Sequence, residues 1–332
     1  TVTQSDGTFS VFIGNGQALV VGRLNYTLRA AAAPDDPERF IVGLQSPSGN
    51  TVLMPDSILK GGALGGLIAF RGASVDAAQN ALGRIALTLA TNFNDQHRLG
   101  QDLSGALGGN YFDPVLAGPV VHENSGNIGS GVFAATLNTV GNLTTSDYRL
   151  LYDGSGYILQ RLADNTSQTY TLGSVVDGFS IDLSSGTPAA GDSFLIQPTR
   201  AGAASLALAI TDPRSIAAAA PIRTAAALAN TGSGSISAGT VNAPPPPNAN
   251  LQQPVTITFT SPTTFNVTGT GTGDPVGVAY TAGSDIGYNG WTIQISGTPA
   301  AGDVFTLGPN SNGVADNRNG VLLGALQTRN TM

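Results

Sequence analysis

The stretch between Gly61 and Leu103 constrains the fold of this chain more than any other, because it is the longest segment with a sustained helical pattern. Apolar side chains recur there at alternating spacings of three and four residues, which predicts one apolar stripe along an α-helix. The stripe consists of Val75, Ala78, Leu82, Ile85 and Leu89. Such a stripe needs a partner, and the sequence contains no second helical pattern of similar length. We therefore expect the partner to be either the sheet around the helix or a segment outside this sequence.

The same stretch marks its own boundaries. The long helix is predicted to begin at Asp76 and Ala77 and to end near Gly100, since glycine often follows the last helical turn. The glycine- and leucine-rich residues 61–70 predict a shorter helix upstream. We expect this shorter helix to bend into the long one near Gly72.

The composition excludes several classes of protein. The 332 residues include no cysteine, so neither disulfide bonds nor thiolate metal sites are expected. Only 11% of the residues are charged, and a net charge of −7 argues against a nucleic-acid partner, which requires clustered Lys and Arg. No run of roughly 18 apolar residues is present, so we expect no membrane-spanning helix.

Short strands are predicted on both sides of the helix. Before it, residues 9–13 and 18–21 form a hairpin pattern across the turn 14–17, and residues 40–44 can pair with 51–54. We expect these strands to form one small sheet that packs on the helix. After it, strands spaced about ten residues apart follow the rhythm of a β-sandwich or barrel. They are predicted at 148–151, 157–162, 169–172, 179–183 and 193–196.

An internal repeat is the clearest signal outside the helix. Residues 185–198 read SGTPAAGDSFLIQP, and residues 296–309 read SGTPAAGDVFTLGP. Residues 148–162 match 255–269 in character at a similar offset. We therefore predict two related β-domains in tandem, joined by the Ala-rich residues 217–229 and a proline-rich linker. Equivalent turn residues and core anchors of the two repeats are Gly191 and Gly302, Asp192 and Asp303, Phe194 and Phe305, and Phe179 and Trp291.

These patterns predict an α+β fold of several domains. Residues 1–112 and 310–332 are expected to form a mixed domain with the long helix and a small sheet, as part of a discontinuous inner domain. A first β-domain is predicted at 113–221 and a second at 222–309, each resembling a sandwich or barrel.

No catalytic, cofactor-binding or metal site is predicted. A zinc site needs three or four N or S ligands at regular spacing, and neither His97 nor His122 has such neighbours. Asp192 and Asp303 occur once per repeat in the turn before a strand. We therefore interpret them as turn residues that bind backbone groups, rather than as an acid pair or a calcium loop.

Four segments carry a resemblance to a known family. In the first, residues 61–112, the long helix is followed by Asn94, Gln96, His97, Gly100 and the pair Asp102-Leu103, a pattern more specific than a generic helix. The others are GTPAAGDSFLIQPTR, LALAITDPRSIAAAAP and GVADNRNGVLLGALQ, at 186–200, 206–221 and 313–327. In this order they resemble the middle of the family of flagellar hook-associated protein 1, at the junction of the bacterial hook and filament.

The resemblance implies an extracellular structural adaptor that polymerises without enzymatic activity or cofactors. Its expected partners are the hook protein, a second junction protein, further copies of itself and an export chaperone that binds the C-terminal region. Export is expected to use the flagellar type III apparatus without a cleaved leader. The family's terminal helices are expected to form an inner tube, with the β-domains facing outward, where host antibodies could reach them.

Two features predict a fragment that lacks both terminal helical regions of the family. The sequence starts at Thr1 rather than at Met, and an apolar helical stripe at 321–326 stops with the sequence. Two other functions remain open at this stage. One is a secreted adhesin or glycan-binding module built from tandem β-domains, in which Trp291 would contact the sugar. The other, a polysaccharide or peptidoglycan hydrolase, would need a pair of carboxylates in a cleft.

Overall fold

The structure, a computed structural model, describes residues 2–5, 8–13, 16–113, 118–311 and 313–330. It has the predicted α+β composition and forms two compact units. One unit holds the described residues of 1–88 and 115–205, and the other holds those of 89–114 and 206–331. These boundaries do not coincide with those of the three predicted domains, which remain a proposal.

Two small antiparallel sheets, rather than the single sheet that was predicted, precede the helices. The first sheet contains β1 (Val2–Ser5), β2 (Thr8–Ile13), β3 (Gln17–Val21) and β4 (Leu24–Asn25) in that order, and the second contains β5 (Thr27–Ala33), β6 (Asp36–Gln45) and β7 (Thr51–Leu53). Both predicted hairpins are present, as β2–β3 and β6–β7. Residues 14–15 of the predicted turn lie outside the described residues. Strand β5 was not predicted, because its Ala-rich sequence has only one β-branched residue, Thr27, and no aromatic residue.

The helical stretch follows the prediction closely. It consists of α1 (Gly62–Phe70), a π-helical segment (Arg71–Asp76) and α2 (Ala77–Arg98). The π-helical segment contains Gly72, where the bend was expected. Beyond α2, a Cβ at Gly100 would overlap the Ala217 carbonyl, so only glycine fits. A final short helix, α3 (Arg318–Ala325), lies near the end of the chain.

The first β-domain pairs a larger sheet with a two-stranded one. Its strands are β8 (Val120–Glu123), β9 (Val132–Leu137), β10 (Tyr148–Tyr152), β11 (Tyr157–Arg161), β12 (Ser167–Tyr170), β13 (Phe179–Ser185) and β14 (Ser193–Gln197). The larger sheet has the order β12-β11-β10-β14-β8, and β13 pairs with β9. Leu87 of α2 is buried in the core between them, beside Leu150, Phe179 and Phe194.

The second β-domain repeats this plan. Its strands are β15 (Ile222–Ala226), β16 (Ser235–Ile236), β17 (Thr240–Val241), β18 (Val255–Ser261), β19 (Thr264–Thr268), β20 (Val278–Ala279), β21 (Asp285–Tyr288), β22 (Trp291–Ser296) and β23 (Val304–Pro309). The order β15-β23-β18-β19-β20 matches that of the first domain read from the opposite edge, and β22 pairs with β16, β17 and β21. Leu150 lies opposite Phe194 in one domain as Ile257 lies opposite Phe305 in the other.

The Ala-rich stretch 217–229 is not the bare linker that was predicted. Ala217 and Ala219 are buried, and residues 222–226 form β15, which pairs with β23 along its whole length. Small side chains allow this backbone to pack closely, and the same lack of bulk made the stretch look like a linker in the sequence.

Candidate functional site

The predicted stripe on the long helix is exposed in the structure. All five of its members, Val75, Ala78, Leu82, Ile85 and Leu89, are exposed, with Leu82 retaining 59% of its accessible surface. A second face of α2, about 100° around the helix from the stripe, is buried and includes the apolar residues Ala86, Leu87 and Ala90. The helix therefore has two apolar faces, of which the chain covers one.

Helix α1 extends the exposed apolar surface. Leu64, Leu67 and Phe70 are exposed, and none of the nine residues of this helix is charged. A groove of about 420 Å³ runs between α1 and the hairpin of β5 and β6. Its lining consists of Leu28, Arg29, Ala30, Phe40, Ile41, Val42, Asp56, Leu64, Leu67, Ile68 and Arg71. Contiguous exposed apolar surface of this kind is typical of an interaction site.

A chain of ion pairs fixes the helical stretch to its surroundings. Asp76, at the end of the π-helical segment, accepts hydrogen bonds from Arg39 Nη1 at 2.8 Å and from Arg200 Nη1 at 3.1 Å. Arg200 Nη2 also donates to Asp147 Oδ2 at 2.6 Å. Asn80 of α2 donates to the other oxygen of Asp147 at 2.9 Å. These largely buried groups determine how α2 lies on the first β-domain.

Sequence reasoning missed this network, because its members are far apart along the chain and each looks like an ordinary surface charge. One signal was available. Only 11% of the residues of this chain are charged, so a charged residue in one of the quoted segments is a candidate for an ion pair. Arg200 is such a residue, at the end of the segment GTPAAGDSFLIQPTR.

The polar residues at the end of α2 serve structural roles. Asn94 accepts hydrogen bonds from the backbone N–H groups of Tyr111 and Phe112, each at 2.8 Å. His97 is fully buried, and its Nε2 accepts from Ala217 N–H at 2.9 Å. Its Nδ1 therefore carries the proton and donates to Gly109 O at 2.9 Å. Both ring nitrogens are thus occupied by backbone groups.

The two predicted turn aspartates, Asp192 and Asp303, form equivalent sets of hydrogen bonds. We call each set a clasp, in which one carboxylate accepts backbone N–H bonds from two separate loops. Asp192 accepts backbone N–H bonds from Ile128, Gly129 and Ala189 at 2.8–3.0 Å. Backbone hydrogen bonds, foremost that from Ala189, lower the pKa of Asp192 from its ordinary 3.8. The carboxylate joins the turn after Gly191 to the loop that precedes β9.

Asp303 repeats this arrangement in the second β-domain. Its carboxylate accepts from Thr231, Gly232 and Ala300 N–H groups, and the bond from Ala300 is the main cause of its lowered pKa. Gly302 precedes it with a φ of 91°, as Gly191 does with 95°. The left-handed region favours glycine at both positions.

An asparagine completes each clasp. Asn127 exchanges two hydrogen bonds with the backbone of Ser193, and Asn230 does the same with Val304. Sequence reasoning missed both asparagines, although the pattern Asn-x-Gly-Ser-Gly occurs at 127–131 and again at 230–234.

The predicted core anchors are all buried. Phe179 and Phe194 lie in the core of the first β-domain, and Trp291 and Phe305 lie in that of the second. Trp291 has no exposed surface, so it cannot stack on a sugar in this conformation. That removes the contact on which the glycan-binding alternative depended.

Within the described residues, no group of three or more His, Asp or Glu side chains is arranged to hold a metal ion. Among the same residues, none of the helices has the length and apolar character needed to cross a membrane.

Comparison with known proteins associates the chain with one family. Residues 1–112 match the family model of the helical domain of flagellar hook-associated protein FlgK, and residues 122–198 match that of a D2-like domain of flagellar hook-associated protein 1. Flagellar hook-associated protein 1 of Escherichia coli K12 is 33% identical over 220 residues, covering 65% of this chain and 40% of that protein. Its Salmonella typhimurium counterpart is 32% identical over 221 residues, covering 65% and 39%.

A solved structure extends the similarity to nearly the whole chain. The flagellar hook junction protein FlgK from Burkholderia pseudomallei has a TM-score of 0.84 and 34% identity, covering 98% of this chain and 65% of its own. The chain thus spans 40% of the Escherichia coli relative and 65% of the solved one.

Proposed function

This chain belongs to the family of flagellar hook-associated protein 1, and on that premise we propose that it is a structural adaptor between the bacterial hook and filament. It acts by packing against other subunits rather than by catalysis. Its place is outside the cell, at the hook–filament junction.

The exposed stripe of α2 is the observation that carries this proposal. Covering a large apolar side chain stabilises a complex by about 1.5–3 kcal/mol when burial is complete. Leu82, Ile85 and Leu89 are each roughly half exposed. A partner helix that buries the rest of each side chain would gain about half of that free energy from each of the three. The alternating spacing of three and four residues suits a helix as the partner.

The partners follow from the same proposal. The terminal helices expected for the family are the elements that cover the stripe, and hook protein, a second junction protein and further copies of this chain are the subunits against which they assemble. An export chaperone and host antibodies are further partners, the first bound through the C-terminal region of the family and the second through outward-facing β-domains. Export through the flagellar type III apparatus without a cleaved leader completes the proposal.

The proposed absence of catalysis is supported by the hydrogen bonds of the candidate polar side chains, which engage backbone groups. Asp192 and Asp303 bind backbone N–H groups within their own domains, and both nitrogens of His97 are engaged by the backbone. The carboxylates and imidazole that sequence reasoning weighed as candidates for chemistry therefore stabilise the fold.

The decisive test replaces the stripe without disturbing the fold. We expect Leu82→Gln combined with Ile85→Gln to leave the unfolding midpoint of this chain nearly unchanged, since both side chains are exposed in it, and to prevent the restoration of motility to a junction-deficient strain. The substitutions are made in a full-length protein that contains this sequence. Motility is measured on soft agar, and unattached filament protein is measured in the medium.

Leu228→Gln is the matched control, because Leu228 is a fully exposed leucine outside the helices. It should preserve both stability and motility. Normal motility with the double substitution at normal protein levels would overturn the proposed role of the stripe.

A further inference from the structure

The helix that carries the exposed apolar surface is not uniform. Between α1 and α2, residues Arg71–Asp76 form a π-helical segment, in which the turn holds more residues than an α-helical turn. Each residue of an α-helix turns the chain by about 100°. A change of this segment from π- to α-helical geometry would therefore rotate α1 about its axis relative to α2.

Both ends of the segment are clamped. Arg71 donates to the Phe40 carbonyl at 2.7 Å and to Asp56 Oδ2 at 2.9 Å. Asp76 is held by Arg39 and Arg200, as described above. The four residues between them, 72–75, are exposed. The clamps therefore fix the π-helical register, and the backbone between them is free of packing on one side.

Glycines without a packing role lie in and after α1, and they lower the stability of this part of the helical stretch. A Cβ at Gly66 or Gly72 would meet no atom within 4 Å, so packing does not require glycine at either position. At Gly83 of α2, by contrast, a Cβ would overlap the Thr199 carbonyl. Glycine without a packing role lowers helix stability, and α1 also begins without a side-chain cap. Gly65 of α1 packs against the Leu59 carbonyl and holds α1 at that point, but Gly66 and Gly72 make the stretch around it intrinsically less stable than α2.

We propose that Arg71–Asp76 is a hinge that sets the rotation of α1 relative to α2 by switching between π- and α-helical geometry. The switch re-aims Leu64, Leu67 and Phe70 while Leu82, Ile85 and Leu89 stay in place. It thereby offers two arrangements of the exposed apolar surface to a partner. The use of those arrangements in subunit packing rests on the proposed function, whereas the hinge itself does not.

Distances between spin labels test the hinge directly. The chain has no cysteine, so two introduced thiols are the only sites of labelling. A pair at the exposed Ala63 and Gln79 spans the segment, and a control pair at Gln79 and the exposed Gln168 joins α2 to β12 within one compact unit. We expect two distance populations for the first pair and one for the second, by double electron–electron resonance.

Releasing the Arg71 clamp should shift the populations. Arg71→Gln, which leaves the bonds of Asp76 to Arg39 and Arg200 in place, is expected to raise the minor population at least threefold in the first pair and to leave the control pair unchanged. Deletion of Ser74 should leave one population, displaced by several Å, because a whole residue of rotation is removed.

A single narrow distance that the clamp substitution does not alter would overturn the hinge. Equal broadening of the control pair would also overturn it, since α2 itself would then be moving. These measurements use the unassembled chain, so they can fail while the stripe substitutions succeed, or the reverse.

Discussion

Gly83 and Gly66 both lie on helices, and they differ in what an added methyl group would meet. At Gly83 it would overlap the Thr199 carbonyl, whereas at Gly66 it would meet open space. We expect Gly83→Ala to lower the free energy of unfolding by roughly 1–3 kcal/mol through overpacking. Gly66→Ala should raise it by up to about 1 kcal/mol through helix propensity. Urea denaturation followed by circular dichroism measures both, and equal effects would contradict the close approach at Gly83.

The clasp aspartates make stability depend on acid. The pKa values of Asp192 and Asp303 are lowered in the folded chain by backbone hydrogen bonds, above all from Ala189 and Ala300. Their stabilising contribution is therefore fully present above pH 3.8 and is lost as the pH falls through the lowered values. We expect the melting temperature to begin falling below about pH 4 for this reason.

Neutral substitutes separate this effect from general acid unfolding. Asp192→Asn with Asp303→Asn should lower the melting temperature at pH 7 and flatten its decline below pH 4. Asp285→Asn is the control, because Asp285 is exposed and its carboxylate accepts a hydrogen bond from the side chain of Gln294. An unchanged acid slope in the double variant would show that the clasps do not titrate as argued.

At the scale of residues, the sequence predicted which side chains are buried better than it predicted their hydrogen-bond partners. Alternation with polar neighbours was enough to predict that Phe179 and Trp291 point inward. The partners of Asn127 and Asn230 lie 66 and 74 residues away, beyond the reach of any local pattern. Only a comparison of the two repeats could have paired them.

At the scale of elements, the ion pairs around Arg200 should contribute more than exposed ones. Arg200, Asp76 and Asp147 keep less than a fifth of their side-chain surface exposed. We expect Arg200→Met to lower the free energy of unfolding by about 1–3 kcal/mol, because Asp147 then loses its charged partner. Arg98→Met, which breaks an exposed pair with Asp95, should cost less than about 0.5 kcal/mol.

Thermal unfolding at low and high salt measures the difference between these two variants. Equal and small losses would mean that solvent screens the Arg200 network as fully as a surface pair.

Elements were predictable where the pattern was periodic. The heptad-like spacing placed α2 within one residue at its start, and turn residues placed the β6–β7 hairpin. The π-helical segment had no such signal, because an extra residue in one turn looks like a simple irregularity in the apolar spacing. The exposed state of the stripe was anticipated by its lack of a partner, but its packing partner remains a prediction.

At the scale of the molecule, the second β-domain begins and ends at one place. Ile222 pairs with Pro309, and Asn310 N–H donates to Pro221 O at 3.0 Å. We therefore expect that replacing residues 222–309 by a short Gly-Ser linker leaves the remainder folded. Circular dichroism and a cooperative melting transition are the measurements.

An excision of the same length shifted to 206–293 is the control. It removes the buried Ala217 and separates β23 from its neighbours, so that chain should aggregate or melt without cooperativity. Loss of folding in the first excision as well would contradict an independent domain at 222–309.

The matching strand orders of 120–197 and 222–309 were predictable only because the chain repeats itself. The shared SGTPAAGD segment fixed the equivalence of the two β-domains, and the matching strand orders follow from it. The repeat gave no information about the boundary between the two compact units. That boundary lies at residue 88, within the single helix α2.

The two apolar faces of α2 have a consequence for the chain when it is alone in water. One face is buried in the fold. Substituting smaller side chains on the other, exposed face would therefore not lower the free energy of unfolding. The exposed face instead limits the solubility of the free chain. Electrostatic repulsion between chains that each carry a net charge of −7 opposes their aggregation. We therefore expect the unassembled chain to become less soluble at high salt, where that repulsion is screened.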